Sequence, residues 1–252
     1  IAHQYHKNNL GCKNSVVSAI DWFFSNVDEG IILEDDCIPS ASFFTFCSQM
    51  LDKYRDDSRV MQISGSNYVT TSSEPMETYY FSAINDIWGW ATWKKSWSNF
   101  SLEVANLDEF LNKGLLDIYV GNPEISSWLR KYLLATKDSS ITTWSSQWVY
   151  AMASEFSFTV VPPRNLVHNI GFLGDGTHSD SSRWGVYSEI MAEEVDEFIA
   201  PSFFFPDREL DQIRFNLIKK TDPHFYWPYR LKIILRKFSP DFILNLWRNL
   251  KN

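Results

Sequence analysis

Helical segments and short apolar runs alternate over the start of the chain, and this alternation constrains the fold most strongly. Residues 12–28 repeat apolar side chains at helical spacing, and residues 40–54 do so behind serines that can cap a helix. The apolar runs 31–33 and 60–65 follow these segments and are typical of buried strands in a parallel sheet. The order helix, strand, helix, strand predicts an α/β domain.

The rest of the chain continues this pattern and suggests two regions. We predict an α/β domain over residues 1–200 and a helical, basic extension over residues 201–252. The further predicted elements are a turn at 37–40, a strand at 79–81, an aromatic cluster at 86–93, helical structure over 102–138 with a break at 121–123, a helix at 146–154, a strand at 158–161, a Gly- and Asn-rich loop at 162–180 and helices from about 228.

Charge excludes one class of partner and suggests another. The formal net charge is −8, so the chain as a whole is a poor ligand for nucleic acid. From Phe225 onward, however, six basic residues and one acidic residue alternate with aromatic and aliphatic side chains. Such a stretch suits peripheral contact with an anionic membrane. The alternative, which the pattern favours slightly, is an ordinary C-terminal helix packed on the domain or on another subunit.

Cysteine usage indicates a reducing compartment. The chain has three cysteines, an odd number without the spacing of a disulfide framework. No apolar run reaches the length of a membrane span, and no signal sequence is visible. We therefore expect a cytoplasmic protein whose membrane contact, if any, is peripheral and at the inner face.

Three consecutive carboxylates, Glu34-Asp35-Asp36, directly follow the apolar run Ile31-Ile32-Leu33. Ligands of open α/β sheets bind outside the carboxyl ends of strands. Adjacent carboxylates raise one another's pKa, and a divalent cation removes this conflict. Mg²⁺ and Mn²⁺ prefer oxygen ligands and usually keep waters and substrate phosphates. The pattern predicts Mn²⁺ or Mg²⁺ held between this acidic run and a diphosphate; a solvated strand end or a helix-capping cluster is the alternative.

The segment Gly30–Pro39 resembles the strand and acidic motif of GT-A glycosyltransferases, and in particular a bacterial group of family-2-like nucleotide-diphospho-sugar transferases. The similarity covers roughly Tyr5–Ser179 and includes the segments Asn9–Cys12, Trp88–Trp93 and Asn165–Phe172. Eukaryotic N-acetylglucosaminyltransferases of N-glycan synthesis look similar, with Glu-Asp-Asp and a later acidic residue before Gly-Trp. The resemblance implies a GT-A, Rossmann-like fold: a mixed, mainly parallel sheet flanked by helices, with this chain beginning after the first strands.

The resemblance also implies an activity and a set of site residues. It implies an inverting, metal-dependent hexosyl- or N-acetylhexosaminyltransferase of bacterial polysaccharide synthesis, with a nucleotide-sugar donor and a saccharide or lipid-linked acceptor. Asp36 would be the main metal ligand, Asp35 would face the donor ribose or sugar, and Glu34 would hold the local geometry or reach the donor. Asn9 and Gly11, in the matching amino-terminal segment, are expected donor contacts.

Transfer with inversion requires a base for the acceptor hydroxyl. Asp86 is the first candidate, because the base of the similar N-acetylglucosaminyltransferases also lies just before the Gly-Trp motif. The alternative is that Asp86 caps a turn. Glu155 and Asp175 are further candidates.

Two other features suggest substrate contacts. His178 lies in a Gly-rich loop with Asp175, where by resemblance it could complete the metal shell and close over the donor as a lid; a plain surface loop is the alternative. Trp88, Trp90 and Trp93 alternate with small residues, and one of them could stack on the acceptor sugar. Core packing is the alternative for these rings.

Two other classes of function compete with transfer. A carbohydrate-binding module without catalytic activity would explain the aromatic content of 16% but leaves the acidic run unexplained. A metal-dependent phosphohydrolase would use the acidic run, but its usual nucleophilic Asp or paired His and Asp ligands are not evident in the sequence.

Overall fold

Five short strands form a mixed sheet with helices on both faces. The computed structural model describes residues 1–69, 78–172, 187 and 189–221. In chain order its elements are α1 (Gly11–Asn26), β1 (Glu29–Ile32), β2 (Cys37–Pro39), α2 (Ala41–Tyr54), β3 (Val60–Ser64), β4 (Tyr80–Ser82), β5 (Trp90–Trp93), α3 (Lys94–Trp97), α4 (Leu107–Asn112), α5 (Leu115–Val120), α6 (Pro123–Lys137), α7 (Ser145–Ser154), β6 (Phe158–Val161), β7 (Val167–Asn169), a 3₁₀ turn (Ile170–Phe172) and α8 (Arg208–Thr221). The predicted α/β class is confirmed.

The strand order of the main sheet is β1-β5-β3-β6-β4. Strands β1, β3 and β6 run in one direction, because β5 is antiparallel to both β1 and β3 while β6 is parallel to β3. Strands β5 and β4 run the other way. The carboxyl ends of β1, β3 and β6 therefore meet at one side of the sheet, which we call the carboxyl edge. Strands β2 and β7 form a separate two-stranded antiparallel ribbon.

Both faces of the sheet are covered. Helix α2 packs on one face, where Phe46 joins Ile63 and Ala91 in a buried cluster. On the other face, Met61 and Trp90 pack against α1 and α7. A third cluster joins helices α4 to α8. Because successive side chains of a strand point to opposite faces, the central strands β3 and β5 are buried along their whole length.

Turn residues set the helix boundaries as the sequence predicts. The Asn122 side chain caps α6 by accepting hydrogen bonds from the backbone N–H groups of Glu124 (3.0 Å) and Ile125 (3.2 Å), and Pro123 occupies the first turn. Gly114, with φ of +68°, makes a further break between α4 and α5 that we did not predict. Helices α1, α2 and α7 lie where their apolar periodicity predicts them.

Two local predictions are wrong, and strand β5 was not predicted. Strand β1, expected to be buried in a parallel sheet, is a half-buried edge strand that pairs antiparallel with β5. The aromatic cluster at 86–93 contains β5, an interior strand. Residues 37–40 and 162–180, expected as turn and loop, contain β2 and β7. The propensity of such short strands depends on what they pack against, so the local sequence carries little signal for them.

Helix α8 lies within the extension predicted to be helical, ahead of the helices expected from about residue 228, and is anchored by a buried carboxylate. Asp211 is 1% exposed and lies against β4. The Ser82 hydroxyl donates to Asp211 Oδ1 (2.5 Å), and the Ala83 N–H donates to Oδ2 (3.2 Å). Burial raises the pKa of Asp211 to about 6. Phe215 of the same helix is fully buried in the third cluster.

The extension predicted over residues 201–252 thus shares its first helix with the core of the α/β domain. Residues 208–221 pack against that domain, and residues 222–252, including the predicted basic helices, lie outside the described residues. Within the described part of the chain, the helices are too short or too polar to cross a membrane.

We expect Asp211→Ala to lower the free energy of unfolding by about 1–3 kcal/mol, because the buried Ala83 N–H loses its acceptor. Urea denaturation at about pH 4 measures the change, because Asp211, whose pKa is raised to about 6, is uncharged in the folded protein there and the penalty for burying its charge does not offset the loss. The control is Asp52→Ala, whose side chain is 85% exposed, and which should stay within about 0.5 kcal/mol of the unsubstituted protein. Equal effects of the two substitutions would contradict the anchoring role of Asp211.

Candidate functional site

The acidic run forms the turn that follows β1 at the carboxyl edge. The Cys37 N–H closes this turn by donating to the Glu34 carbonyl (3.2 Å). Glu34 and Asp36 are half-buried, whereas Asp35 is exposed. The predicted position of the acidic run at the carboxyl end of a strand is therefore confirmed, although that strand is an outermost strand of the sheet.

The β2–β7 ribbon brings a distant segment onto Asp36. The ribbon pairs Cys37 with Asn169, and the Ile170 N–H donates to the Asp36 carbonyl (2.9 Å). The Asn169 side-chain N–H donates to Asp36 Oδ1 (3.4 Å), while Asn169 Oδ1 accepts from the Gly171 N–H (2.8 Å). Asn169 is 3% exposed. The Asp36 carboxylate is thus oriented by a buried amide 133 residues further along the chain.

Burial and the mutual repulsion of its charges act on the acidic run. Burial, followed by the charges of Asp36 and Asp35, raises the pKa of Glu34 from its ordinary 4.5 to about 7. Among the described residues, no lysine or arginine forms an ion pair with these three carboxylates. Burial also raises the pKa of the Cys37 thiol to about 12, so this thiol is protonated at neutral pH.

Uncompensated carboxylate oxygens fit a hard divalent cation such as Mg²⁺ or Mn²⁺. The part of the chain that the structure describes contains no group of three or more His, Cys, Asp or Glu side chains able to hold a metal. A cation at the acidic run would therefore have one or two protein carboxylates and depend on water and phosphate oxygens, as Mg²⁺ often does. His178 and Asp175, the predicted metal ligand and lid residue, lie outside the described residues.

Three of the sequence segments that carry the family resemblance meet at Gly89. Its φ is +72°, and a Cβ at this position would lie 2.7 Å from Val167 Cγ2 and 3.2 Å from Leu33 Cδ2. Leu33 directly precedes the acidic run, and Val167 begins β7. The Gly65 N–H at the end of β3 donates to the Gly89 carbonyl (2.8 Å). Glycine is required here both by the backbone conformation and by the close approach of these side chains.

Asp86, the first candidate for the catalytic base, is held in a buried ion pair. Arg214 Nη2 lies 2.5 Å from Asp86 Oδ1, and Nε lies 3.3 Å from Oδ2. Arg214 is 7% exposed. A base needs a carboxylate oxygen within reach of the acceptor proton, and here both oxygens accept from the guanidinium. The geometry supports an anchoring role for Asp86 and gives no support to the predicted role as base.

The three candidate stacking tryptophans differ in exposure. Trp90 and Trp93 are 0% and 2% exposed in strand β5, and Trp90 packs among other buried tryptophans. Acceptor stacking by these two residues is therefore wrong, and the alternative of core packing holds. Trp88 is half-buried and lies 6.0 Å from the Tyr68 ring and 5.8 Å from the Tyr187 ring, measured between ring centroids. Contact between Trp88 and an acceptor stays a prediction.

The remaining candidates do not join the acidic run. Glu155 is exposed and lies just before the amino end of β6. This is the side of the sheet opposite the carboxyl edge. The strands of the sheet separate Glu155 from the acidic run, which gives no support to its predicted role as a base. Asn9 and Gly11 are exposed at the amino end of α1, where Asn9 Oδ1 accepts from the Gly11 N–H (2.8 Å). Their predicted contact with a donor stays a prediction.

Sequence reasoning missed three residues that shape this region. Asn169 and Gly171 lie in one of the segments that carry the family resemblance. The pattern Asn-x-Gly after an apolar run is the sequence signal that could have identified them. Arg214 lies in α8, far from any motif in the sequence. An arginine on a helix is usually solvated, so no local pattern distinguishes this one.

These features define a mixed α/β domain with a carboxylate-rich turn at the carboxyl edge of its sheet. No family model matches the chain. A search of curated proteins also finds no match. Support for an activity therefore comes from the geometry above and from the resemblance of the motifs.

We expect Glu34→Gln to stabilise the metal-free protein increasingly as the pH rises from 4.5 to above 7. The unfolded chain releases the Glu34 proton near pH 4.5, whereas the folded state keeps it until about pH 7, so folding is penalised across this window and most strongly above it. The gain above pH 7 should be roughly 1–3 kcal/mol, measured by urea denaturation with a chelator present. The exposed control Glu103→Gln should show no such trend, and a constant difference across the pH range would contradict the burial of Glu34.

We expect Gly171→Ala to leave the fold intact but to displace the Asp36 carboxylate, because the added Cβ would overlap Asp36 Oδ2. Manganese affinity, followed by the electron paramagnetic resonance signal of free Mn²⁺, should fall about 10-fold or more. Ile170→Ala, at a side chain that is 39% exposed, is the matched control. Unchanged affinity in Gly171→Ala would exclude Asp36 from the metal site.

Proposed function

We propose that the protein is a metal-dependent glycosyltransferase of GT-A type that moves a hexosyl or N-acetylhexosaminyl group from a nucleotide-diphosphate donor to a saccharide or lipid-linked acceptor. The supporting observation is a half-buried acidic run at the carboxyl edge, without an ion pair to lysine or arginine in the described residues. Ligands of α/β sheets bind at this edge. An uncompensated pair of carboxylates suits a cation that also binds a diphosphate.

The proposed roles follow from burial and contacts. Asp36 and Glu34 would hold Mn²⁺ or Mg²⁺, and Asp35, which is exposed, would face the donor. The bound cation would supply Lewis-acid stabilisation of the diphosphate leaving group. Asn169 orients Asp36 through its side-chain N–H. Such outer contacts commonly set the affinity and geometry of a metal site.

In the proposed reaction, the bond between the sugar carbon and the diphosphate oxygen breaks, and a bond from that carbon to the acceptor oxygen forms. We propose inversion, in which the acceptor hydroxyl gives its proton to a base. Asp86 is engaged by Arg214 and Glu155 lies at the opposite edge. Asp175, outside the described residues, is the candidate that the structure leaves unaddressed.

The competing functions differ in measurable products. A carbohydrate-binding module would need exposed aromatic platforms, and burial removes Trp90 and Trp93 from that role. A phosphohydrolase that cleaves the diphosphate of the same donors would release a nucleoside monophosphate and a sugar 1-phosphate, whereas transfer or hydrolysis at the sugar carbon releases a nucleoside diphosphate. Product analysis therefore separates the three functions.

We expect Asp36→Ala to reduce Mn²⁺-dependent release of nucleoside diphosphate by about 100-fold or more, because several kcal/mol of charge stabilisation is lost. The assay incubates the protein with MnCl₂, a mixture of soluble saccharides and a panel of uridine, guanosine, thymidine and cytidine diphosphate sugars. Circular dichroism should show an unchanged fold, since the Asp36 side chain is half-buried at a turn.

Asp56→Ala, an exposed carboxylate of the loop before β3, is the matched control and should retain full activity. Full activity in Asp36→Ala would overturn the metal assignment. A nucleoside monophosphate and a sugar 1-phosphate as the main products of the unsubstituted protein would instead favour the phosphohydrolase.

A further inference from the structure

Arg214 is a buried cation on α8 whose contacts reach the chain segment beside the acidic run. We propose that Arg214 is a positioning residue that sets the arrangement of the metal-binding carboxylates from a distance, through Asp86 and the segment 86–89. This inference rests on the proposed function, because it assigns Arg214 a role at the same site. It gives α8 a part in the chemistry that its distant place in the sequence does not suggest.

The first step is the hold of Arg214 on Asp86. The guanidinium makes a two-pronged contact with the Asp86 carboxylate, 2.5 Å from Nη2 to Oδ1 and 3.3 Å from Nε to Oδ2. Its Nη1 donates to the Tyr187 hydroxyl (2.9 Å). It also lies over two aromatic rings, 4.7 Å from the Tyr68 centroid and 5.2 Å from that of Tyr187. The planar guanidinium matches this environment, whereas a lysine ammonium would provide only a point charge.

The second step ties the segment 86–89 to the central strand. Three of its carbonyls accept hydrogen bonds from residues of β3 or just beyond it. Gln62 Nε2 donates to the carbonyl of Asp86 (2.5 Å), the Ser66 hydroxyl to that of Trp88 (2.8 Å) and the Gly65 N–H to that of Gly89 (2.8 Å). Gln62 is itself fixed by the Trp148 indole N–H, which donates to its Oε1 (2.7 Å). Helix α8 holds this segment through the side chain of Asp86.

The third step reaches the carboxylates. Gly89, at the end of the segment, approaches Leu33 and Val167 too closely for any side chain. Leu33 is bonded to Glu34, and Val167 lies two residues before Asn169, which orients Asp36. A shift of Gly89 would therefore move both segments that carry the acidic run and its amide partner, because packed side chains transmit displacement.

A second ion pair on α8 provides a matched comparison. Lys219 pairs with Glu124 at 3.0 Å, but it is more exposed and connects α8 to α6 rather than to the segment 86–89. If ion pairs on α8 merely stabilised the fold, loss of either would change stability without changing the site. A positioning role predicts that loss of Arg214, and not of Lys219, changes the properties of the acidic run.

The test compares Arg214→Gln, Arg214→Lys, Asp86→Asn, the double variant Asp86→Asn with Arg214→Gln, and the control Lys219→Gln. Each is first confirmed as folded by circular dichroism and studied below its own melting temperature. The first readout is the affinity for MnCl₂ alone, measured by electron paramagnetic resonance. The second is amide hydrogen exchange in peptides that cover residues 30–38 and 165–172, which reports order in the site without any ligand.

For Arg214→Gln we expect an Mn²⁺ affinity about 10-fold lower and faster exchange in both peptides. Arg214→Lys should fold more readily and show a smaller loss, Asp86→Asn should match Arg214→Gln, and the double variant should lose no more than either, because the pair acts as one unit. Lys219→Gln should stay within about twofold of the unsubstituted protein.

Two results would overturn the inference by different routes. If the unsubstituted protein binds Mn²⁺ and the folded Arg214 variants bind it equally well with unchanged exchange, Arg214 serves the fold alone and the proposed function stands. If the unsubstituted protein binds no Mn²⁺, the proposed function fails and the positioning role fails with it, even where exchange in the two peptides increases.

Discussion

The close approach at Gly89 is the constraint on which the candidate site depends. A residue with a side chain could not adopt its φ of +72° without strain, and its Cβ would meet Val167 and Leu33. The hydrogen bond from Gly65 to the Gly89 carbonyl holds this contact against the end of β3. The absence of a side chain at Gly89 lets Leu33 and Val167 approach its backbone. The turn after β1, the start of β5 and the β2–β7 ribbon therefore lie next to one another.

Charge compensation separates the acidic run from the other buried carboxylates. Asp86 faces a guanidinium, and Asp211 accepts from a hydroxyl and a backbone N–H. Glu34 is partly buried beside the negative charges of Asp36 and Asp35, and both effects raise its pKa to about 7. Among the described residues no lysine or arginine pairs with this half-buried carboxylate, and desolvated charge of this kind at a strand end is typical of a site that binds a cation or a proton. This contrast within one molecule is the physical basis of the proposed metal site.

Elements that depend on neighbouring residues could be predicted from the sequence, whereas features that depend on distant contacts could not. Apolar periodicity was sufficient for α1, α2 and α7, and Asn122-Pro123 for the start of α6. The aromatic run concealed β5, because its burial on both faces depends on helices far along the chain. The position of the acidic run was predictable from the strand before it. The engagement of Asp86 by Arg214, 128 residues away, and the burial of Trp90 and Trp93 were not.

The sequence by itself determined the α/β class, the main helices and the presence of three adjacent carboxylates behind a strand, since periodicity, capping and charge are properties of neighbouring residues. Tertiary structure alone decided that β1 is an outermost strand of the sheet, that Asn169 orients Asp36 and that Arg214 forms an ion pair with Asp86. The first outcome depends on pairing between residues 58 to 64 positions apart, and the other two depend on contacts between residues 133 and 128 positions apart. Local preferences do not specify such contacts, because the packing of the whole chain determines which distant surfaces meet.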